Sequence, residues 1–554
     1  MRRRRDSALS ADRLLTRAAP FGATFVREWL PAKALGHAVF FLAAAALGAQ
    51  EPAIRTGGVV NAASRTPSML PGGAIARGAL FDIAGVRLGA SARTTSVTVS
   101  ARGASLRVPL LAVSPQRVEG RLPANAPLGD VSLTVTVNGV PGAPYALKVA
   151  PAGFGIYSRN QEGWGPGRVD NQAPDGSRSP NSLRHSASPG QPMVLSGTGL
   201  GAGSPEVWVG FRRATVVAVR RGAAGDGDEV AFRLPPDSPA GCFVPLQVRE
   251  AGAAPSNTVT VSIHAGGGPC EPSTVLPAAA WSGRSGGLVV ISRTVRPPDS
   301  VTDEGMAAFV RREDQDAAPS QVLLIPPLGT CTAYTGAATD GSQPSSSPGD
   351  ALLSSAHATG LDAGRRITVA RGGVLKPVSP VPGAPGLYKR LLGEARGGRP
   401  GRGGPLFLEP GTVVAAGEGG AEVGPFAVAV AAPEPFVWEN RDGIGTVDRR
   451  QGATLRWRPL PHAGAVLIGL TSVDSSAAAW GACYCAAAGA AGAFTIPPAS
   501  LANLPASQPS PTVPPPSLWL SYLPFRSQQP LHASGLDNGL AISLFVQAVE
   551  VTIR

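Results

Sequence analysis

Two stretches of the chain, 112 residues apart, are written on one plan. Arg121-Leu122-Pro123 runs through Pro127 and Gly129 into Val131-Ser132-Leu133-Thr134-Val135-Thr136-Val137. Arg233-Leu234-Pro235 runs through Pro239 and Gly241 into Cys242-Phe243-Val244-Pro245-Leu246-Gln247-Val248. An internal period says that each copy is one structural unit, which limits the fold more than composition does. Each copy has a second alternating run downstream, Ala146-Leu147-Lys148-Val149 and Thr258-Val259-Thr260-Val261-Ser262-Ile263. Upstream, Pro71-Gly72 and Pro189-Gly190 each precede an apolar segment ending in Leu88-Gly89 or Leu200-Gly201. Alternation of apolar and polar residues puts one face of a strand in a core and the other in water. The 70 glycines and 55 prolines supply the turns between many short strands. Two consecutive antiparallel sandwiches are expected, over 56–150 and 151–268.

Further residues carry a family likeness. Gly57-Gly58-Val59-Val60-Asn61-Ala62-Ala63-Ser64 opens the first unit, Val113-Ser114-Pro115-Gln116 sits midway and Asn138-Gly139-Val140 follows its main strand. Gly197-Thr198-Gly199-Leu200-Gly201 lies early in the second. In motif and order these resemble the tandem Ig-like modules, related to IPT/TIG domains, of large exported bacterial proteins. The resemblance covers residues 56–265 and departs at Phe81-Asp82-Ile83-Ala84-Gly85, where a phenylalanine-glycine turn is usual. It implies an Ig-like fold and export, and brings no catalytic residues with it.

The second half carries another repeat. Ala358-Thr359-Gly360-Leu361-Asp362-Ala363-Gly364 recurs 175 residues on as Ala533-Ser534-Gly535-Leu536-Asp537-Asn538-Gly539. Apolar segments follow both, Ile367-Thr368-Val369 and Ala541-Ile542-Ser543-Leu544-Phe545. Residues 271–300 and 341–350 are rich in Pro, Ser and Gly and read as a linker and a loop. A strand at 422–431 closes a third sandwich over 275–431, and Phe436-Val437-Trp438-Glu439-Asn440 opens a fourth over 432–554. Pro505, Pro509, Pro511 and Pro514-Pro515-Pro516 mark a surface loop. The fold class expected is all-β: a multi-domain chain of immunoglobulin-like β-sandwiches after an N-terminal signal peptide.

That signal is read over residues 1–49. Arg2 to Arg5, Arg27 and Lys33 form a long basic leader, and Ala38 to Leu47 an apolar run too short to span a bilayer. Ala46-x-Gly48 offers small residues for cleavage near 48–50. No later apolar stretch has spanning length, so a mature chain without a transmembrane segment is expected. Eight basic and three acidic residues before position 49 account for +5 of the net charge of +12. The rest is scattered, and aromatics make up 5% of the chain. A nucleic-acid binder concentrates its charge, so no nucleic-acid partner is expected.

The chemistry-bearing residues are few. Cys242 and Cys270 flank two successive strands of one unit, and a disulfide between them is expected in an oxidising compartment. Five cysteines leave at least one unpaired or pairing between chains. The pairing of Cys331, Cys483 and Cys485 stays open, though Cys483-Tyr484-Cys485 is too tight for an easy mutual bond. Gly283-Arg284-Ser285-Gly286-Gly287 matches a nucleophile elbow, with Asp362 and His462 as conceivable triad partners. The elbow needs a helix after the serine, and Leu288-Val289-Val290-Ile291 predicts a strand. Gly197-x-Gly199-x-x-Ala202 matches a dinucleotide fingerprint, but Val207-Trp208-Val209 again predicts a strand. His37, His185, His264, His357, His462 and His532 show no metal spacing. Asp170, Asp175-Gly176 and Asp442-Gly443 read as turns, and Arg396 to Gly404 as a loop between strands rather than an RNA-binding tract. Trp208, Trp438, Trp457, Trp480 and Trp519 are sugar platforms in principle and core residues in most sandwiches.

No catalytic, cofactor-binding or metal residue is therefore expected, and no cofactor. The function expected is that of an exported structural or interaction protein, not an enzyme. It would act in binding or adhesion at the cell surface or outside the cell, with a protein or carbohydrate partner. Secreted, periplasmic and cell-surface locations all fit. The alternative is a secreted carbohydrate-binding or hydrolytic protein with accessory Ig-like modules.

Overall fold

The computed structural model describes residues 51–68, 70–223, 225–270, 275, 283–312, 325–337, 358–474, 479–510 and 513–554. The expected leader, His37, His357, Pro511, most of the linker at 271–282 and the loop at 341–350 lie outside these residues.

The first sandwich faces two sheets across one core. Ala53–Asn61, Leu80–Val86, Arg117–Arg121 and Leu110–Val113 make one sheet. Ile75–Ala76, Tyr145–Ala150, Gly129–Val137, Thr95–Ala101 and Ala104–Arg107 make the other. Val59, Phe81, Ile83 and Val118 meet Val97, Val99, Leu133, Val135 and Leu147 between them. The alternation in Gly129–Val137 appears as alternating burial along the strand. Pairing is antiparallel apart from Ile75–Ala76, which runs parallel to Tyr145–Ala150. The second sandwich turns on Arg212–Arg220. A shift of register between Val216 and Ala218 lets this strand pair with Asp228–Arg233 in one layer and Glu206–Val209 in the next.

The sequence period has a hydrogen-bonding cause. Arg121 Nη1 donates to the Gly78 carbonyl at 2.8 Å, and Arg233 Nη1 to the Gly190 carbonyl at 2.9 Å. The Gly78 amide donates to Leu122 O at 2.9 Å, and the Gly190 amide to Leu234 O at 3.0 Å. Leu122 and Leu234 are both fully buried. Both glycines have positive φ, +76° and +82°, which a side chain would disfavour. The counterpart of Gly190 is thus Gly78, not the Gly72 that the shared Pro-Gly suggests. The glycine-rich opening of the first unit serves the junction between units. Asn61 is buried, donates to Gly153 O and Thr198 O, and accepts from the amides of Ala63 and Ser64.

Beyond residue 283 one sheet runs through both remaining segments. Asn538–Glu550 lies parallel to Ser285–Arg296, with Gly286 beside Asn538 and Val295 beside Gln547. Thr330–Ala337 pairs with Ala479–Ala488. The sheet therefore crosses position 431, where the third and fourth sandwiches were expected to part. The cause lies in Gly464–Asp474, Ala479–Ala488 and Ser517–Pro524, each buried along nearly its whole length. Such strands need cover on both faces and partners on both edges. Ile468, Leu470 and Leu520 enter one core, while Leu467, Trp519 and Leu523 enter another. A third core lies between Val289, Ile291 and Phe309 and, on a second layer that continues the same sheet through Leu387–Arg396 and Val374–Pro380, Ile367, Val369, Val413 and Val428.

One buried ion pair ties these layers. Asp303 is fully buried on Ser300–Arg312. It takes Arg293 Nε at 2.7 Å and Nη2 at 2.8 Å, and the amides of Phe407 at 2.6 Å and Leu408 at 2.8 Å. No helix among the described residues is long and apolar enough to cross a membrane.

Candidate functional site

The two Gly-Leu-Asp loops meet at one end of the third core. The amides of Glu422 and Val423 donate to Asp362 O at 3.1 and 3.0 Å, and the Gly424 amide to Ser534 O at 2.9 Å, so the 419–424 loop spans both. A Cβ on Gly424 would stand 2.1 Å from Ser534 Oγ, so a larger residue there would have to turn that hydroxyl away. Both aspartates hold backbone amides. Asp362 accepts from Gly364 at 2.8 Å and Ala421 at 3.2 Å. Asp537 Oδ2 accepts from Ser285 at 2.9 Å and Arg284 at 2.6 Å. These amides hold both carboxyl groups below the usual carboxylate range, Gly364 contributing most at Asp362 and Ser285 at Asp537.

Beside Asp537 lies an open recess of about 380 Å³, lined by Pro425, Leu531, His532, Ser534, Asp537 and Asn538 among others. Asp537 Oδ1, the Asn538 amide, the His532 ring and the Ser534 hydroxyl make no hydrogen bond among the described residues. The site thus offers acceptors and donors on a backbone pinned to the start of Ser285–Arg296. The sequence showed this loop only as a repeat and assigned no role to His532, Ser534, Asp537 or Asn538. Their convergence is spatial and leaves no spacing signal.

Ser285 itself is nine-tenths buried and begins a strand, with no helix after it. Its Oγ accepts the Asp537 amide at 3.0 Å. Neither conceivable triad partner is brought to it: Asp362 holds its own loop, and His462 Nε2 lies 3.8 Å from Glu434. Gly197 and Gly199 sit at the end of Pro192–Thr198, where Leu80 N donates to Thr198 Oγ1 across the module junction. Arg396 and Arg399 pair across a tight hairpin. Trp438, Trp457, Trp480 and Trp519 are buried. Trp208 is half-buried, with the Arg249 guanidinium 4.4 Å over its ring and its indole nitrogen donating to Glu206.

Cys242 and Cys270 are joined by a disulfide, and so are Cys331 and Cys485, which stand opposite each other on paired strands. Cys483 is free and buried, its Sγ 3.9 Å from that of Cys485, because residues two apart on a strand share a face. Burial pushes its thiol up to about 12. Near neutral pH the thiolate fraction is then on the order of 1 in 10⁴ to 10⁵. Native protein is accordingly expected to leave a thiol reagent unreacted, and to release one thiol per chain when unfolded without reductant. A fast-reacting thiol in the native protein would contradict this placement.

No protein-family model matches the sequence, and no curated protein matches it. Among solved structures, the surface glycan-binding protein PbSGBP-B from Prevotella bryantii is similar at 11% identity, covering 38% of this chain and 41% of that one, with a TM-score of 0.14. The chain thus spans less than half of that protein. SGBP-B of the Bacteroides ovatus mixed-linkage glucan utilization locus, in complex with a mixed-linkage heptasaccharide, is 12% identical over 69% of this chain and 73% of that one, with a TM-score of 0.13. Domains 5–6 of the S-layer protein SbsC are 13% identical over 38% of this chain and 98% of that one, with a TM-score of 0.18. At such TM-scores these likenesses carry no weight for function. The Ig-like, multi-sandwich architecture stands on the strand pairing described above.

Proposed function

We propose that this chain is an exported binding or adhesion protein of Ig-like modules, related to the IPT/TIG type and without catalytic turnover, whose recess at 530–539 takes a hydroxyl-rich ligand such as a glycan. The carrying observation is the set of unengaged polar groups on Asp537, Asn538, His532 and Ser534 around one recess. A carboxylate and a carboxamide side by side match the donors and acceptors of neighbouring hydroxyl groups. Asp537 is fixed by two backbone amides, so little ordering remains to be done on binding. A secreted, periplasmic or cell-surface location fits the leader and the disulfides. The hydrolytic alternative asks one of two carboxyl groups to stay protonated near neutral pH. Asp362 and Asp537 are both shifted the other way.

The test uses residues 51–554 on a glycan array, with hits measured by calorimetry. Asn538→Ala and His532→Ala are each expected to weaken the strongest hit about tenfold, the loss of one or two hydrogen bonds. Absence of any glycan hit, or hits untouched by both substitutions, overturns the assignment. Ester, peptide and glycoside substrates are tried beside Ser285→Ala. Turnover that vanishes in that variant overturns the non-enzymatic reading.

A further inference from the structure

The recess lies where Ser285–Arg296 begins. Three turns crowd the opposite end of the same sandwich, at 297–299, 372–373 and 397–398. The register dictates this: Arg296 stands opposite Ser300, Ser300 opposite Arg396, and Ser379 opposite Lys389 in an antiparallel pair that runs Val374, partner of Arg371, toward Arg396. Gly372 and Gly373 form the middle hairpin tip at φ +53° and +82°, and a Cβ on either would meet nothing within 4 Å. The tip therefore projects into solvent. Its base is fastened: Arg371 Nε donates to Glu409 O at 3.0 Å, and Lys376 Nζ to Gly403 O at 3.2 Å.

What the tip displays is unusual for this protein. Val374 is 53% exposed and Leu375 66%. The other exposed large aliphatics, such as Val86, Leu128, Val217 and Val437, stand singly along the chain. Isolated exposed aliphatics need no explanation, whereas a neighbouring pair at a protruding tip does. Around it, Arg399 and Arg402 have no carboxylate partner among the described residues, while Arg371 is held by the carbonyls of Glu409 and Pro410 and Arg396 by Glu394 at 2.9 Å.

We propose that this end of the sandwich docks on an anionic lipid surface, with Val374 and Leu375 entering below the headgroups and Arg399 and Arg402 at phosphate level. Aliphatic side chains gain by entering the acyl boundary, and guanidinium groups pair bidentately with phosphate. A hairpin can enter such an interface because its cross-strand hydrogen bonds satisfy much of its backbone. A soluble polyanion would use the charges and leave the aliphatic pair idle, so the pair favours lipid. The proposal is independent of the recess, which lies at the other end.

The experiment pellets residues 51–554 with phosphatidylcholine vesicles, with and without phosphatidylglycerol. Pelleting is expected only with the anionic lipid, and less at high salt. Arg399→Glu with Arg402→Glu should lower partitioning by about tenfold or more, each basic residue near the surface being worth about fivefold. Val374→Ser with Leu375→Ser, which leaves the charge unchanged, should do likewise without changing thermal melting or glycan binding. As a second readout, Leu375→Trp should add fluorescence that brominated acyl chains quench. No pelleting overturns the proposal. So does a serine variant that pellets like the parent, because that marks a charge-only site.

Discussion

Asp303→Ala is expected to destabilise the third sandwich by about 3–5 kcal/mol, as for other buried ion pairs broken on one side. The substitution leaves the half-buried Arg293 guanidinium without its main partner and strands the buried amides of Phe407 and Leu408. Asp303→Asn keeps one acceptor for those amides but turns a donor toward Arg293, so about half the loss is expected. Glu409→Ala is the control. Its carboxylate is half-exposed and 3.6 Å from Arg293, and an exposed pair of this kind contributes below about 1 kcal/mol. Hydrogen exchange along Ser285–Arg296 reads the effect locally. Protection that survives Asp303→Ala would show that the second layer does not depend on this anchor.

Removing Cys331 and Cys485 together is expected to cost more than removing Cys242 and Cys270 together. The first bridge joins residues 154 apart and the second residues 28 apart. In the chain-entropy account, closing the longer loop stabilises by about 5 kcal/mol and the shorter by about 3.5 kcal/mol. The longer loop also contains the second layer of the third core, from Ile367 to Val430, so opening it frees the most chain. Denaturant titration of the two double-alanine variants compares the pairs directly. Equal losses would mean that the unfolded chain is already restricted between residues 331 and 485.

Strands of the first two units were legible because their period repeats the Arg-Leu-Pro corner, although alternating burial appears in Gly129–Val137 and not in Gly241–Arg249, which is buried along nearly its whole length. The alignment slipped at Gly72 because a Pro-Gly pair is a common turn. The corner at Gly78 is defined by what Arg121 and Leu122 bond to, which no dipeptide shows. The shared sheet was not legible for a different reason. A parallel pairing of Ser285–Arg296 with Asn538–Glu550 has no local signature, since nothing in either segment names its partner. The continuous apolar run of Ala465, Val466, Leu467 and Ile468 does mark a strand covered on both faces. Read for burial rather than alternation, it argues against a self-contained fourth sandwich. The recess was not legible: the Gly-Leu-Asp segment read only as a repeat before an apolar run, and the groups lining the recess matter only once folded together.

Strand order in this sheet also sets a timetable. A ribosome makes Ser285–Arg296 well before its parallel neighbour Asn538–Glu550, with about 240 residues between them. At about 5–20 residues per second, that gap lasts roughly 10–50 s. Throughout it, one edge of Ser285–Arg296 has only Ser300–Arg312 on its other side, and Leu288-Val289-Val290-Ile291 offers a β-rich, uncharged template to any strand that arrives first. The two leading sandwiches draw on no strand beyond residue 263 and can close during the wait. The later layers cannot, so the newborn chain must be kept from pairing with its neighbours until Asn538–Glu550 is delivered.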